Sequence, residues 1–101
     1  MASRLELQTL LENTLGSENV YYQPPDSIEM KYPAIVYVRG DIKNLPANNG
    51  VYIQYFGYDV TVIDEDPDSE IVMKVSKLPM CNWNRRFVSD NLNHDVFKLY
   101  F

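Results

Sequence analysis

The sequence predicts an α+β domain, a mostly antiparallel β-sheet with two helices packed on it. Three observations predict it. The run Val51–Asp64, VYIQYFGYDVTVID, is the longest β-prone stretch of the chain, dominated by the Tyr, Phe, Ile, Val and Thr that fit a pleated, half-buried surface. Two segments, 3–15 and 66–78, place apolar residues at helical spacing. The other β-prone runs include two with only a turn between them near the C-terminus, which argues for hairpins rather than βαβ units.

Taken in order, SRLELQTLLENTL over 3–15 reads as a helix. Ser3 with Glu6 three residues on is a capping box, and Leu7, Leu10, Leu11 and Thr14–Leu15 share one face. Gly16 suits the left-handed position after a helix end. The segment 19–22, NVYY, is a short strand, and Gln23-Pro24-Pro25-Asp26 breaks regular structure because proline lacks a donor and holds its predecessor extended. The segment 26–32 reads as a turn leading into a strand. Pro33 opens that strand, Ala34–Arg39, which is apolar on both faces and so reads as covered on both. Gly40 and Asp41 then begin a loop, DIKNLPANN, closed by Gly50. Its Pro, Asn and Gly content predicts an exposed connection, the kind of segment on which partners are often engaged.

Along Val51–Asp64 side chains alternate between faces. The even set, Tyr52, Gln54, Phe56, Tyr58, Val60 and Val62, is the apolar one and should face the core. The odd set, Tyr55, Gly57, Asp59, Thr61 and Ile63, is mixed and should face water or a partner. Next, Asp66 is placed to cap a second helix with Pro67 at its first position. Asp68 and Glu70 fall in the first turn, where acids suit the helix dipole. Ile71, Val72, Val75 and Leu78 form the buried face, and Pro79 ends the helix. Residues 80–88, with Cys81, Trp83 and Phe87 alternating against Asn82, Asn84 and Arg86, make a strand. Ser89-Asp90-Asn91 turns the chain into 92–101, where Phe97, Leu99 and Phe101 oppose Val96, Lys98 and Tyr100.

Size and charge bound the function. The chain of 101 residues is one domain by length, large enough for one core and small for a deep catalytic cleft. Nine basic and fourteen acidic residues give a net charge of −5, which argues against dedicated nucleic-acid binding, since that affinity rests on Lys and Arg neutralising phosphates. The Arg85-Arg86 pair reads as a solvated strand edge. The lone Cys81 allows no intramolecular disulfide and reads as a small buried hydrophobe. No run of about 18 apolar residues marks a membrane span, and no signal-peptide core is present. The eight tyrosines exceed what so small a core absorbs, and tyrosine is a frequent interface residue.

Two clusters invite a chemical reading. The acidic run Asp64–Glu70 resembles a calcium loop, but such a loop of about twelve residues needs glycine at its sixth position and glutamate at its last. Counted from Asp64, Ser69 and Val75 stand there, so a helix start is the better reading and no metal is assigned. His94 beside Asp95 could be an oriented base. Adjacent strand residues point to opposite faces, so Asp95 would not orient His94. No phosphate loop or Cys/His metal spacing occurs. The residues imply no cofactor and no catalytic site.

The segments YYQPPDSIEMKYPAIVY (21–37), YDVTVIDEDPD (58–68), LPMC (78–81) and DNLNHDVFKLYF (90–101) resemble the small tail-terminator, or tail-completion, proteins of long-tailed bacteriophages of Gram-positive hosts, which are also labelled head–tail joining or minor capsid proteins. The resemblance implies a tail-terminator-like sandwich in a structural, non-enzymatic role in the virion, at the head–tail junction, for a protein made in the host cytoplasm. It implies a ring, typically a hexamer, that caps the head-proximal end of the tail tube, stops its polymerisation and offers a surface to the head-completion or connector protein. DNA would pass through the lumen without specific binding, which an acidic chain suits. The partners implied are further copies, the tail tube protein and the connector, with no membrane. The family has no functional motif to transfer residue by residue. Candidate contact residues therefore come from the pattern: Asp41, Lys43, Asn44, Asn48 and Asn49 in the 41–50 loop, and Tyr55, Asp59 and Thr61 on the odd face. The runner-up is a phage-encoded adaptor or inhibitor that binds a host protein.

Overall fold

The structure, a computed structural model, describes residues 4–25, 29–46 and 52–101. The described residues form an α+β fold, a five-stranded sheet with two helices. The elements are α1 (Arg4–Leu15), β1 (Val20–Tyr22), β2 (Ala34–Pro46), β3 (Tyr52–Asp64), α2 (Glu70–Ser76), β4 (Cys81–Ser89) and β5 (Leu92–Tyr100). The strands lie in the order β1-β2-β3-β5-β4. Only the short β1–β2 pair is parallel; β2–β3, β3–β5 and β5–β4 are antiparallel.

Both helices lie on one face. The core joins Leu7, Leu11 and Leu15 of α1 and Val75 of α2 to Val20, Ile35, Tyr37, Tyr58, Val60, Val62, Phe97 and Leu99 of the sheet. Of the even positions of β3 expected to face the core, Tyr58, Val60 and Val62 do and Phe56 packs partly against it, but Gln54, out on the part of β3 beyond β5, is exposed; Ile35 stands opposite Val62, Tyr37 opposite Val60, and Phe97 opposite Val60 from the other side. Tyr37 is wholly buried, and its hydroxyl donates to Gln8 Oε1 and accepts from Arg4, which ties α1 to the sheet by polar contacts as well as apolar ones. Burial pushes the Tyr37 phenol up from its ordinary value.

Local signals explain the element ends. Gly16 closes α1 at φ +83°, and its N–H donates to the Glu12 carbonyl. Asp90 and Asn91, both at positive φ, make the two-residue turn between β4 and β5, which needs two left-handed residues and tolerates these types. The proposed cap Ser3 lies outside the described residues. Pro33 follows a cis peptide bond and stands immediately before β2.

The structure corrects the sequence reading in three places. First, β2 does not end at Arg39. It runs to Pro46, paired with β3 through Ile42 opposite Phe56, Lys43 opposite Tyr55, Asn44 opposite Gln54 and Leu45 opposite Ile53. Asp41, Lys43 and Asn44 are therefore strand residues, not loop residues, and Asn48 and Asn49 lie outside the described residues. The reason is that β3 extends past the end of β5 and offers β2 a partner, while a bulge between Arg39 and Asp41 absorbs Gly40. Second, α2 is capped by Ser69, whose Oγ accepts from Ile71 N, not by Asp66. The Asp64 and Asp66 carboxylates accept instead from the N–H groups of Asp66 and Asp68. These local turns compete with helix initiation, so Pro67 and Asp68 precede the helix. α2 ends at Ser76, with Lys77 as its C-cap, before Pro79 is reached. Third, Phe87 does not share a face with Cys81 and Trp83: a bulge between Trp83 and Arg85 leaves Trp83 opposite Phe97 but puts Phe87 opposite His94, on the other side of the sheet, and Arg86 on the helix side. Every residue from Asn82 to Ser89 is exposed, because β4 is the outermost strand and α2, at seven residues, is too short to cover it. No described helix is long and apolar enough to cross a membrane.

Cys81 is half-buried against the core at the start of β4, and burial pushes its thiol up to about 11 from 9.0. The folded state thus holds the thiol neutral where the unfolded chain would ionise it. This contribution to stability is complete below pH ~9 and is lost as pH rises through about 11; the raised Tyr37 phenol acts in the same direction. Alkylation of Cys81 at pH 8 is expected to be slow in the native protein and fast in denaturant, and the thermal midpoint is expected to fall between pH 9 and 11. Equal alkylation rates would contradict the burial of this thiol.

Candidate contact face

The side of the sheet away from both helices carries the odd positions of β3 and their partners. Val36 and Val96 flank Thr61, Lys98 lies opposite Asp59, and Tyr100 lies opposite Gly57. Ala34, Ile63 and Val96 are buried at one end of this face. At its centre Val36, Val38, Thr61 and Asp59 are only half-buried, shielded by neighbouring side chains and covered by neither helix. Of the predicted contact residues, Asp41, Tyr55, Asp59 and Thr61 fall on this open face, and Lys43 occupies the register position opposite Tyr55. Asn44, opposite Gln54, falls on the other side of the sheet.

The upper part of the face is polar and ordered by named contacts. Lys98 Nζ lies 3.4 Å from Asp59 Oδ1, and the Tyr100 hydroxyl donates to Asp41 Oδ2 at 3.3 Å. Gly57 makes the close packing possible. A Cβ there would lie 2.9 Å from Asp41 Cβ and 3.1 Å from Tyr100 Cε1, nearer than side chains tolerate. The ion pair is part-exposed, with side chains 30% and 44% accessible, so it contributes little stability by itself. Its value is positional: it leaves a paired, partly desolvated charge beside an apolar strip.

Sequence reasoning missed Lys98, Tyr100, Val36, Val38 and Val96 as members of this face. The alternation in β5 had already set Val96, Lys98 and Tyr100 on the side away from Phe97. What was lacking was the β3–β5 register, a long-range fact.

Beyond this body, β2 and β3 continue as a two-stranded arm. β1 stops pairing at Tyr37 and β5 at Gly57, after which Phe56 and Phe101 exchange backbone hydrogen bonds. Residues 43–46 and 52–55 then pair only with each other among the described residues. The root of the arm is held from the helix side too: the Arg39 guanidinium sits 4.0 Å from the Phe56 ring centroid and donates to the Tyr58 hydroxyl. With strands of thirteen residues, the arm accounts for the molecule's 51 Å long axis against 25 and 21 Å across.

The other candidates resolve into local structure. The Asp64–Glu70 run makes the two turns described above, and among the described residues no group of three or more His, Cys, Asp or Glu is placed to hold a metal. His94 stacks on Phe87 with ring centroids 4.6 Å apart, on the open side, while the buried Asp95 accepts from Trp83 Nε1 on the helix side. The two do not interact, as strand alternation predicted. Arg86 donates to the Pro67 carbonyl and to Asn93. A shallow groove of about 320 Å³ runs beside it, lined by Pro67, Asp68, Ser69, Val72 and Met73.

No protein-family model matches the chain, and the search of curated proteins gives no match.

Proposed function

We propose that the protein is a structural component of a long-tailed bacteriophage virion, which caps the head-proximal end of the tail tube, stops its growth and joins it to the head, working as a ring of identical copies. The observation that carries this reading is the uncovered sheet face. An antiparallel sheet can leave one face to water where that face is polar. Here half-buried valines, Thr61, a part-exposed Asp59–Lys98 pair and Tyr55 and Tyr100 stand together, and among the described residues no layer covers them. Mixed surfaces of this composition, with aromatic residues and few free charges, suit protein contacts. The resemblance of segments 21–37, 58–68, 78–81 and 90–101 to tail terminators supplies the kind of assembly. The acidic net charge of −5 suits a lumen through which DNA slides.

Mass spectrometry of purified virions tests the reading. The protein is expected in the particle at several copies per tail. Absence from virions, with the protein found bound to a host protein in infected cells, would replace it with the adaptor reading.

A further inference from the structure

We infer that copies of this chain join head to tail along the strand direction, the basic arm end of one copy against the acidic far end of the next. The inference rests on the ring reading above and specifies its seam.

The strand directions set the two ends. The arm end holds the arm itself and the start of α1, where Arg4 donates to Tyr37 and lies over the Tyr22 ring. It also holds the end of α2, followed by Met80, whose carbonyl accepts from Tyr100 N. The far end holds the segments that enter β1, leave β3 and join β4 to β5.

Charge divides between these ends. Residues 16–19, 64–69 and 90–91, which make the far-end turns, carry Glu18, Asp64, Glu65, Asp66, Asp68 and Asp90 and no base. Glu29 and Lys31, shortly before β2, cancel. Arg86 reaches this end, donating to the Pro67 carbonyl and to Asn93, and offsets one of the acids. On α2, Glu70 and Lys74 stand one turn apart and cancel. At the arm end Lys98 and Asp59 form an ion pair, and beyond it Arg4, Arg39, Lys43 and Lys77 outnumber Glu6 and Asp41. Glu18, Glu65, Asp66, Asp68 and Asp90 are exposed, as are Arg39 and Lys77.

Opposite signs on the two ends of one chain name the occupant. Two far ends placed together would set acid against acid, and two arm ends base against base, and such like-charge contacts are penalised. An arm end against a far end pairs opposite charges, so the partner of each end is the other end of a second copy. Such a contact is heterologous and can close into a ring. Each end also has an apolar side chain to bury: Ile42 on the arm, 55% exposed, and Met73 on the wall of the groove beside Pro67 and Asp68, 60% exposed. The arm gains a covering surface, which a two-stranded ribbon needs in water. The open sheet face stays clear for the tail tube.

The test exchanges charge between the ends. One variant carries Glu18→Lys, Glu65→Lys and Asp68→Lys, which with Arg86 turns the far end net basic. The other carries Lys43→Glu and Lys77→Glu, which turns the arm end net acidic. Rings of full-length protein, in solution and on tails that lack it, are counted by electron microscopy, and circular dichroism checks the fold of each variant. Each variant alone is expected to need at least about tenfold more protein to form rings, because like charges then meet at every seam. An equal mixture is expected to recover to within about threefold of the unaltered protein, as copies alternate and opposite charges meet again. Ring formation by the unaltered protein is expected to weaken at least about tenfold between about 0.1 and 1 M salt. Rings formed by either variant alone as readily as by the unaltered protein, an equal mixture that fails where both variants fold, or rings indifferent to salt would each overturn this seam and leave the ring reading standing. Absence of rings from the unaltered protein, both in solution and on tail ends, would overturn both.

Discussion

Phe97→Ala lowers the folding free energy by about 3–5 kcal/mol, the largest loss expected from any single truncation in this chain. Phe97 is wholly buried, opposite Val60 on one neighbouring strand and Trp83 on the other. It belongs to the core cluster shared by α1, α2 and the sheet. A domain of this size holds about 5–15 kcal/mol in total, so the variant sits near the edge of folding. Its thermal midpoint is expected to fall by at least about 12 °C. Leu5→Ala, at a side chain 64% exposed on α1, is the control and should change stability by less than about 0.5 kcal/mol. A Phe97→Ala loss below about 1 kcal/mol would mean that the core is not built around this strand.

Thr61→Lys is expected to leave the fold intact and to abolish attachment to tail ends. Thr61 is half-buried at the centre of the open face, between Val36 and Val96. In the free protein a lysine there lays its stem along the valines and keeps its ammonium in water, so denaturant midpoints should hardly move. If a neighbour covers the face in an assembled particle, as proposed, the ammonium must be desolvated there without a partner. Binding to tails that lack this protein is expected to weaken by at least about 100-fold, or about 2.7 kcal/mol. Unchanged binding by a well-folded Thr61→Lys protein would remove this face from the contact.

What could be read from the chain before its structure was local. The alternation in Val51–Asp64 set Tyr58, Val60 and Val62 inward and Asp59 and Thr61 outward, and the structure keeps that division. The Leu7, Leu11 and Leu15 stripe, the Gly16 stop and the Asp90-Asn91 turn are likewise residue-scale signals. The arm was missed because Gly40, Asn44 and Pro46 look like loop chemistry. Only the partner strand, with Phe56 opposite Ile42, turns them into a strand. The second helix start was misplaced because Asp66 and Ser69 are both good caps, and the choice depended on which carboxylates were already engaged by their own turns. The exposure of β4 was invisible for a similar reason: Cys81, Trp83 and Phe87 alternate like a half-buried strand. Being outermost in the sheet is a property of topology, and β4 follows a helix too short to reach over it. The candidate contact face was legible in part. Asp41, Tyr55, Asp59 and Thr61 do share one side, but Lys98 and Tyr100, which order its polar end, come from a strand nearly forty residues further along.

Electron microscopy of particles made when the gene is deleted tests most directly that this domain exists to close an assembly. Tails of uncontrolled length that fail to join filled heads, restored to uniform length by the intact protein supplied in trans, are the expected result. Tails of normal length, joined to heads in its absence, would contradict the account.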